Sequence, residues 1–288
     1  MLKFLEKAPF VPVECGYEVG TVLHRSRSRF QEIMVIENPD FGRMLILDGV
    51  VQVTESDEFF YHEMMTHVAL HAHPDPKNVI VIGGGDGGIV REVLKHKSVK
   101  KVHFVEIDKD VIEVSKKFFP QIASGCADRR VEISAMDGAE FVKKAPKGRI
   151  DAIIVDSTDI IGFARSLYTK EFFAALKRCL SPDGMFVTHS ESLAYHRDTV
   201  VKVQQTLKRA FPVVDLYTGI VPTYPGFWWT YAIGSMSLDP RQMRRPFKIQ
   251  TKYYDDEIHA QCFATRKLYG KLMENKLGWG IKGAFNFE

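Results

Sequence analysis

Two rhythms divide the chain. From about residue 17 to residue 55, short apolar-rich runs alternate with turn residues. The runs are Thr21–His24, Ile33–Glu37, Met44–Leu47 and Val50–Val53, and the turn-like segments are Arg25–Arg29, Asn38–Gly42 and Asp48-Gly49. Runs of this length and composition predict β-strands. The Asp-Gly pair predicts a tight hairpin, because positive φ is cheap there. A small antiparallel β domain is therefore expected over residues 1–56. A helix is predicted over Asp57–Ala72, closed by His73-Pro74-Asp75-Pro76.

From Lys77 the pattern changes. Val79–Ile82 is an unbroken apolar run leading into Gly83-Gly84-Gly85-Asp86-Gly87-Gly88. Helices predicted over Ile89–Lys95, Asp110–Phe118, Ala139–Lys144 and Lys170–Leu180 then alternate with strands over Lys101–Glu106, Val131–Ser134, Ala152–Val155 and Met185–Thr188. This alternation predicts an α/β domain over residues 57–288, with a mostly parallel sheet covered by helices on both faces. After a helix over Asp198–Ala210, strands Val213–Val221 and Trp229–Ser235 are close enough to pair antiparallel. Two helices are expected near Asp255–Cys262 and Thr265–Asn275, and the tail after Leu277 carries no readable signal.

Composition narrows the setting without giving a function. The 288 residues are 45% hydrophobic and 26% charged, which excludes a disordered chain. No apolar run approaches the roughly 20 residues a bilayer core requires, so no membrane partner is expected. The start, MLKFLEKAPF, lacks the apolar stretch and small-residue site of a secretory leader. Cys15, Cys126, Cys179 and Cys262 lie far apart, which suits reduced thiols in the cytoplasm better than a disulfide frame or zinc site. The 39 basic and 36 acidic residues are too balanced to imply nucleic acid, and the Arg25–Arg29 cluster reads as a solvated turn. His62-Glu63-x-x-x-His67 is one residue too long for a zinc-binding HExxH; on a helix its histidines lie about 140° apart, so no metal is expected.

The chemistry concentrates at the strand ends, where open α/β sheets bind ligands. Gly83, Gly85 and Gly88 satisfy GxGxxG, and Glu106 ends the next strand about 20 residues on, placed to accept from ribose hydroxyls. That much suits NAD and adenosylmethionine alike. Asp86 separates them. A dinucleotide's pyrophosphate would sit over this loop, and a carboxylate there would repel it by roughly 4 kcal/mol for a like pair at 4 Å and an effective dielectric of 20. A cationic adenosyl-sulfonium would be attracted; the competing reading is that Asp86 caps the following helix. Asp137-Gly138 ends a third strand, where a carboxylate can accept from an adenine amino group. Asp156-Ser157-Thr158-Asp159 leaves a fourth, giving two carboxylates beside the cofactor unless both are turn formers.

Together GGGDGG, Glu106-Ile107-Asp108, Asp137-Gly138 and Asp156–Asp159 resemble the polyamine aminopropyltransferases, most of all the spermidine synthases. The likeness extends through Leu45–Gln52, Tyr61–Met64, Pro222–Pro225, Lys252–Tyr254 and Ile258-His259. It implies a small N-terminal β domain on a methyltransferase-like Rossmann domain with a seven-stranded, mostly parallel sheet, assembled as a homodimer or homotetramer. The implied reaction transfers the aminopropyl group of decarboxylated S-adenosylmethionine, a co-substrate rather than a cofactor, to a primary amine, typically putrescine. By the same likeness Asp156 is the catalytic aspartate and Tyr61 its partner. Gln31, His62, Gly83, Asp86, Glu106, Asp137, Gly138 and Phe163 fall on the donor side, and Gln52, Asp159, Tyr224 and Trp229 on the acceptor side. Physically, an alkyl amine with a pKa near ~10.4 is protonated at neutral pH and must lose a proton to attack. Asp156 can take it, Asp159 can hold a distal ammonium, and Tyr224, Trp228 and Trp229 can line a polyamine chain unless they simply pack.

Several positions depart from the family pattern on the acceptor side. Ile160 and Phe163 stand where proline is usual, His189 where glutamine is usual, and Gly226-Phe227-Trp228 replaces Ser-Gly-Leu. Phe163, Phe227 and Trp228 are expected to narrow or reshape the acceptor groove. An inward Arg165 would oppose a diamine and favour a carboxylate-bearing ligand. The rivals are a relative using another amine, an aminocarboxypropyl transfer, a small-molecule methyltransferase, or a catalytically silent polyamine- or nucleoside-binding protein, against which the intact Tyr61, Asp156 and Asp159 speak. If Arg165 faces solvent, Arg165→Glu leaves putrescine turnover nearly unchanged; a large gain would expose a different natural acceptor.

Overall fold

The structure, a computed structural model, describes residues 2–157, 166–167 and 169–278. Its N-terminal part is built from two antiparallel sheets. β1 (Leu2–Lys7) and β2 (Glu14–Val19) form a two-stranded ribbon with Leu2 opposite Val19. β3 (Thr21–Arg27), β4 (Glu32–Asn38), β5 (Gly42–Leu47) and β6 (Val50–Thr54) form a four-stranded meander. The Asp48-Gly49 hairpin is as expected: both residues have positive φ, 46° and 83°, and Leu47 faces Val50. The β1–β2 ribbon was not legible, because LKFLEK is mostly exposed and carries no period-2 apolar face. Arg25 and Arg27 lie within β3 rather than in a turn, and Arg25 Nε donates to Glu32 Oε1 across the ladder at 2.8 Å.

The second part opens with α1 (Glu58–Ala72) and continues through β7 (Asn78–Gly83), α2 (Gly88–Leu94), β8 (Lys101–Glu106), α3 (Lys109–Phe118), β9 (Val131–Ala135), α4 (Gly138–Lys144) and β10 (Ile150–Asp156). It is completed by α5 (Lys170–Cys179), β11 (Leu180–Ser192), α6 (Arg197–Ala210), β12 (Val213–Ile220), β13 (Trp228–Ser235), α7 (Asp256–Gln261) and α8 (Arg266–Met273). Seven strands form one sheet in the order β12-β13-β11-β10-β7-β8-β9, with only the β13 pairings antiparallel. Val79–Ile82 and Ala152–Val155 are buried on both faces, which is why they read as continuous apolar runs. Strand order reverses between β7 and β10, and the crevice outside their carboxyl ends is where this architecture binds ligands. Helix starts are set locally: Asp108, Asp137 and Thr169 accept from backbone N–H groups of α3, α4 and α5.

The two parts share a core. Ile33, Val35 and Leu45 of the meander pack with Val111, Val114 and Phe119 at α3. Ser28 Oγ and Gln31 Nε2 both donate to Asp108 Oδ2, at 2.6 and 3.0 Å. No helix among the described residues is long and apolar enough to cross a membrane.

α1 is buried on nearly every side, so its apolar residues show no single stripe and its axis cannot drift. Glu63, the glutamate of the apparent zinc motif, instead accepts the backbone N–H groups of Lys252, Tyr253 and Tyr254 at 2.7, 2.9 and 2.9 Å. This moors the C-terminal segment to α1. Glu63→Gln turns one acceptor into a donor aimed at those N–H groups and is expected to lower stability by about 2 kcal/mol. Urea unfolding checks this as a lower midpoint at unchanged slope.

Candidate active site

The site is assembled at the reversal of strand order. Gly83 and Gly84 have φ of +76° and +66°, and Gly84 N–H donates to the Asp156 carbonyl at 2.8 Å. A Cβ on Gly83 would fall 2.0 Å from that carbonyl, so only glycine lets β7 end this close to β10. The approach brings the Asp156 carboxylate over the glycine loop. Tyr61, from α1, donates its hydroxyl to Asp156 Oδ1 at 2.6 Å. One residue on, His62 lies between two carboxylates, with Nδ1 2.6 Å from Glu58 Oε2 and Nε2 3.1 Å from Asp86 Oδ1. Asp86 Oδ1 also accepts Gly88 N–H at 2.7 Å, so it caps the turn and pairs with His62 at once.

Burial divides the labour between the acids. Asp156 is pushed up to about 7 by burial and by the negative charge of Asp86, against the pull of Tyr61 and His62. Burial also works against ionised Asp86, but the His62 charge and the hydrogen bonds from His62 and Gly88 outweigh it and hold Asp86 below the usual carboxylate range. His62 feels the same burial, and the two flanking carboxylates overcome it to raise its pKa to about 10. Glu106 is raised to about 7, chiefly by burial.

A cavity of about 470 Å³ runs along these groups. Its walls bring together Gln31, Gln52, Tyr61, His62, Gly83, Asp86, Glu106, Asp137, Gly138, Asp156 and Tyr224 from the β meander, α1 and four strand ends of the sheet. Asp137 Oδ1 is spent on capping α4, accepting from Ala139 and Glu140 N–H at 2.7 and 3.1 Å, while Oδ2 accepts from Ser166 at 3.3 Å. Trp229 lines a smaller adjoining recess of about 50 Å³ that shares Tyr61, Asp156 and Tyr224 with the main cavity. Thr158, Asp159, Ile160, Phe163 and Arg165 lie outside the described residues.

Three comparisons with known proteins bear on this geometry. Residues 58–242 match the spermine/spermidine synthase domain, and residues 4–55 match the spermidine synthase tetramerisation domain. The chain belongs to the spermine/spermidine synthase family. It is 50% identical over 270 residues to the polyamine aminopropyltransferase of Hydrogenobaculum sp., covering 94% of this chain and 96% of that one. It is 48% identical over 273 residues to polyamine aminopropyltransferase 1 of Aquifex aeolicus, covering 95% and 97%. A crystal structure of a spermidine synthase with the transition-state analogue AdoDATO matches with a TM-score of 0.91 at 38% identity, covering 95% of each chain. The Thermotoga maritima spermidine synthase gives 0.88 at 37% identity over 95% and 94%.

Within this family fold, two expected groove residues take other places. Trp228 packs with the apolar cluster around Leu193, Val200 and Leu216, and Phe227 is 61% exposed with φ of +50°. Neither lines the cavity or the recess. Sequence reasoning missed Glu6, Glu191 and His196, which join His189 in the recess walls. Glu191 has φ of +74° and sits where the β11–β13 register slips between His189 and Ser192. No local sequence signal marks such a slip. His189 Nε2 donates to the Ser157 carbonyl at 2.7 Å, and burial lowers its pKa to about 4, so the ring is neutral and Nδ1 is an acceptor.

Among the described residues, two groups of ligand-type side chains have atoms close enough to share an ion: His62, Asp86 and Asp156, and His67, His71 and His96. In the first, His62 donates from both nitrogens to carboxylates, so it has no lone pair to offer an ion shared with Asp86 and Asp156. In the second, Arg245 donates to His96 Nδ1 at 2.7 Å. His96 then donates from Nε2 to His67 Nδ1 at 2.9 Å, and His67 donates from Nε2 to Glu92 at 3.0 Å. This proton order makes the group a hydrogen-bond relay. A test of the loop geometry follows from Gly88, where a Cβ would fall 2.2 Å from His62 Cε1. Gly88→Ala is expected to cost about 1–3 kcal/mol and to displace His62, seen as a lower denaturation midpoint and altered His62 ring resonances.

Proposed function

We propose that the chain transfers the aminopropyl group of decarboxylated S-adenosylmethionine to a primary amine of putrescine, forming spermidine and methylthioadenosine. The observation that carries this reading is the split ionisation of Asp86 and Asp156 beside one glycine loop. The donor is doubly cationic, and a permanently ionised Asp86 backed by His62 meets its amine. The acceptor arrives as an ammonium. Asp156, with a pKa of about 7, takes its proton at neutral pH, and Tyr61 holds the carboxylate in place. The freed nitrogen attacks the propyl carbon attached to sulfur. As that C–N bond forms, the C–S bond breaks and its electron pair stays on sulfur, leaving a neutral thioether that needs no proton.

The remaining assignments follow the cavity. Glu106 fits the donor's ribose, Gln31, Gly83, Asp137 and Gly138 its nucleoside, and Gln52, Tyr224 and Trp229 the acceptor chain. Phe163 and Asp159 are assigned to the donor and acceptor sides by resemblance alone. His189 supports a diamine despite replacing the usual glutamine, because burial favours its neutral ring and no cation is added beside the recess. No metal or other cofactor is assigned. We divide the chain into an N-terminal β domain, 1–56, and a catalytic domain, 57–288. Exposed Leu2, Leu5 and Val22 support assembly into a homodimer or homotetramer through the N-terminal domain. Its free cysteines suit the cytoplasm.

Incubation with decarboxylated S-adenosylmethionine and a panel of amines, read by mass spectrometry, is expected to show a new aminopropyl unit on putrescine. Release of S-adenosylhomocysteine from full S-adenosylmethionine would overturn the reading. Asp156→Asn is expected to abolish turnover, by about 10³-fold or more, while donor binding by calorimetry persists. Because Asp156 must be ionised to act, kcat/KM should fall as pH drops through about 7, approaching tenfold per unit below it.

A further inference from the structure

The carboxylate on the far side of His62 does not touch the cavity, yet the site depends on it. Glu58 stands one helical turn before His62 on α1, and its side chain is 4% exposed. Arg91, from α2, grips it with both guanidinium arms, Nη1 on Oε1 at 3.0 Å and Nη2 on Oε2 at 2.7 Å. Arg91 is itself fixed through Nε, which donates to the buried Glu92 at 2.8 Å; Glu92 also holds Lys95 at 2.6 Å and His67 at 3.0 Å. An unbroken line of alternating charge therefore runs from Glu92 through Arg91, Glu58 and His62 to Asp86, at the edge of the glycine loop.

We infer that Glu58 and Arg91 are positioning residues for the transfer reaction: they hold His62 as a doubly donating imidazolium, which keeps Asp86 ionised and leaves Asp156 as the carboxyl that exchanges the proton. The argument is one of hydrogen-bond polarity. An ionised carboxylate only accepts, so a ring nitrogen facing Glu58 and a ring nitrogen facing Asp86 must both carry hydrogen. Around His62 stand Glu58 and Tyr61 from its own helix, Asp86 and Arg91 from the loop and α2, and Asp156 from β10. Around Asp156 stand Tyr61, His62, Asp86, Glu106, Tyr224 and Tyr231. His62 and Arg91 are the cations of this set. Remove the Glu58 charge and buried His62 loses half of its reason to be protonated. Asp86 then loses its counter-ion, and two buried carboxylates compete for one proton.

The inference rests on the aminopropyl-transfer reading, so its test has a readout that needs no turnover. In Glu58→Gln the acid limb of kcat/KM is expected to move up by about one pH unit, a loss of about tenfold at pH 6 and about fivefold at pH 7 that shrinks by pH 9. Glu58→Asp, which restores the charge, should recover most of that loss. Nitrogen-15 spectra, with the His62 signal assigned by its absence in His62→Gln, should show both ring nitrogens protonated through pH 8 in the wild type and a neutral ring in Glu58→Gln. If Glu58→Gln fails to fold, Arg91→Lys keeps a charge but loses the two-armed grip and should show the same changes at smaller size. A uniform loss at every pH with His62 still protonated, or a neutral His62 in the wild type, overturns the inference. The expected His62 response in a protein that transfers no aminopropyl group supports the control of His62 by Glu58 and overturns the transfer reading, and with it the positioning role in that reaction.

Discussion

Two carboxylates forced into one crevice cannot both be ordinary acids, and the rest of the molecule is arranged around that fact. Asp86 and Asp156 lie at the ends of adjacent strands, where burial penalises each charge and each charge penalises the other. The degeneracy is broken from one side by His62, which gives Asp86 a permanent counter-ion. Tyr61, the preceding residue, hydrogen-bonds Asp156 instead. Two consecutive residues of one helix thus hold different acids, but only Asp86 gains a full counter-ion, so burial and the Asp86 charge still raise Asp156 against the pull of Tyr61.

That assignment demands a stiff frame. The glycines at 83 and 84 allow the first strand to end against the Asp156 carbonyl. α1, packed on all sides and moored by Glu63, keeps Tyr61 and His62 in register with those strand ends. Behind it, Glu58, Arg91 and Glu92 form a charge ladder whose members are satisfied by one another, which is the condition for burying so many ions without an uncompensated one.

The smaller recess obeys the same logic with different parts. Glu6 comes from the N-terminal ribbon, Glu191 and His189 from the irregular end of β11, and His196 from the loop before α6. His189 and His196 each donate to a backbone carbonyl, at 2.7 and 2.8 Å, and burial favours the neutral form of both rings, so neither adds a cation to this end of the crevice; their Nδ1 atoms lie 3.8 and 3.9 Å from the Glu191 carboxylate. The carboxyl groups of Glu6, Asp156 and Glu191 in these walls favour a positively charged N–H donor.

Much of this was legible in the chain, because it depends on neighbours in sequence. The Asp48-Gly49 hairpin, the buried apolar strands, the glycine loop and the acids at strand ends are local patterns with local causes, and the reversal of strand order gathers them into one cavity. What the sequence could not decide was long-range. Trp228 and Phe227 look like groove residues in a list, yet one packs in a satellite cluster and the other faces solvent. Glu58 reads as an ordinary first-turn acid until Arg91, 33 residues away, is brought against it. Residue types set which acids and glycines were available. Only tertiary packing set the dielectric around each one and the partner each one met, and in a buried site those two quantities determine where a proton resides.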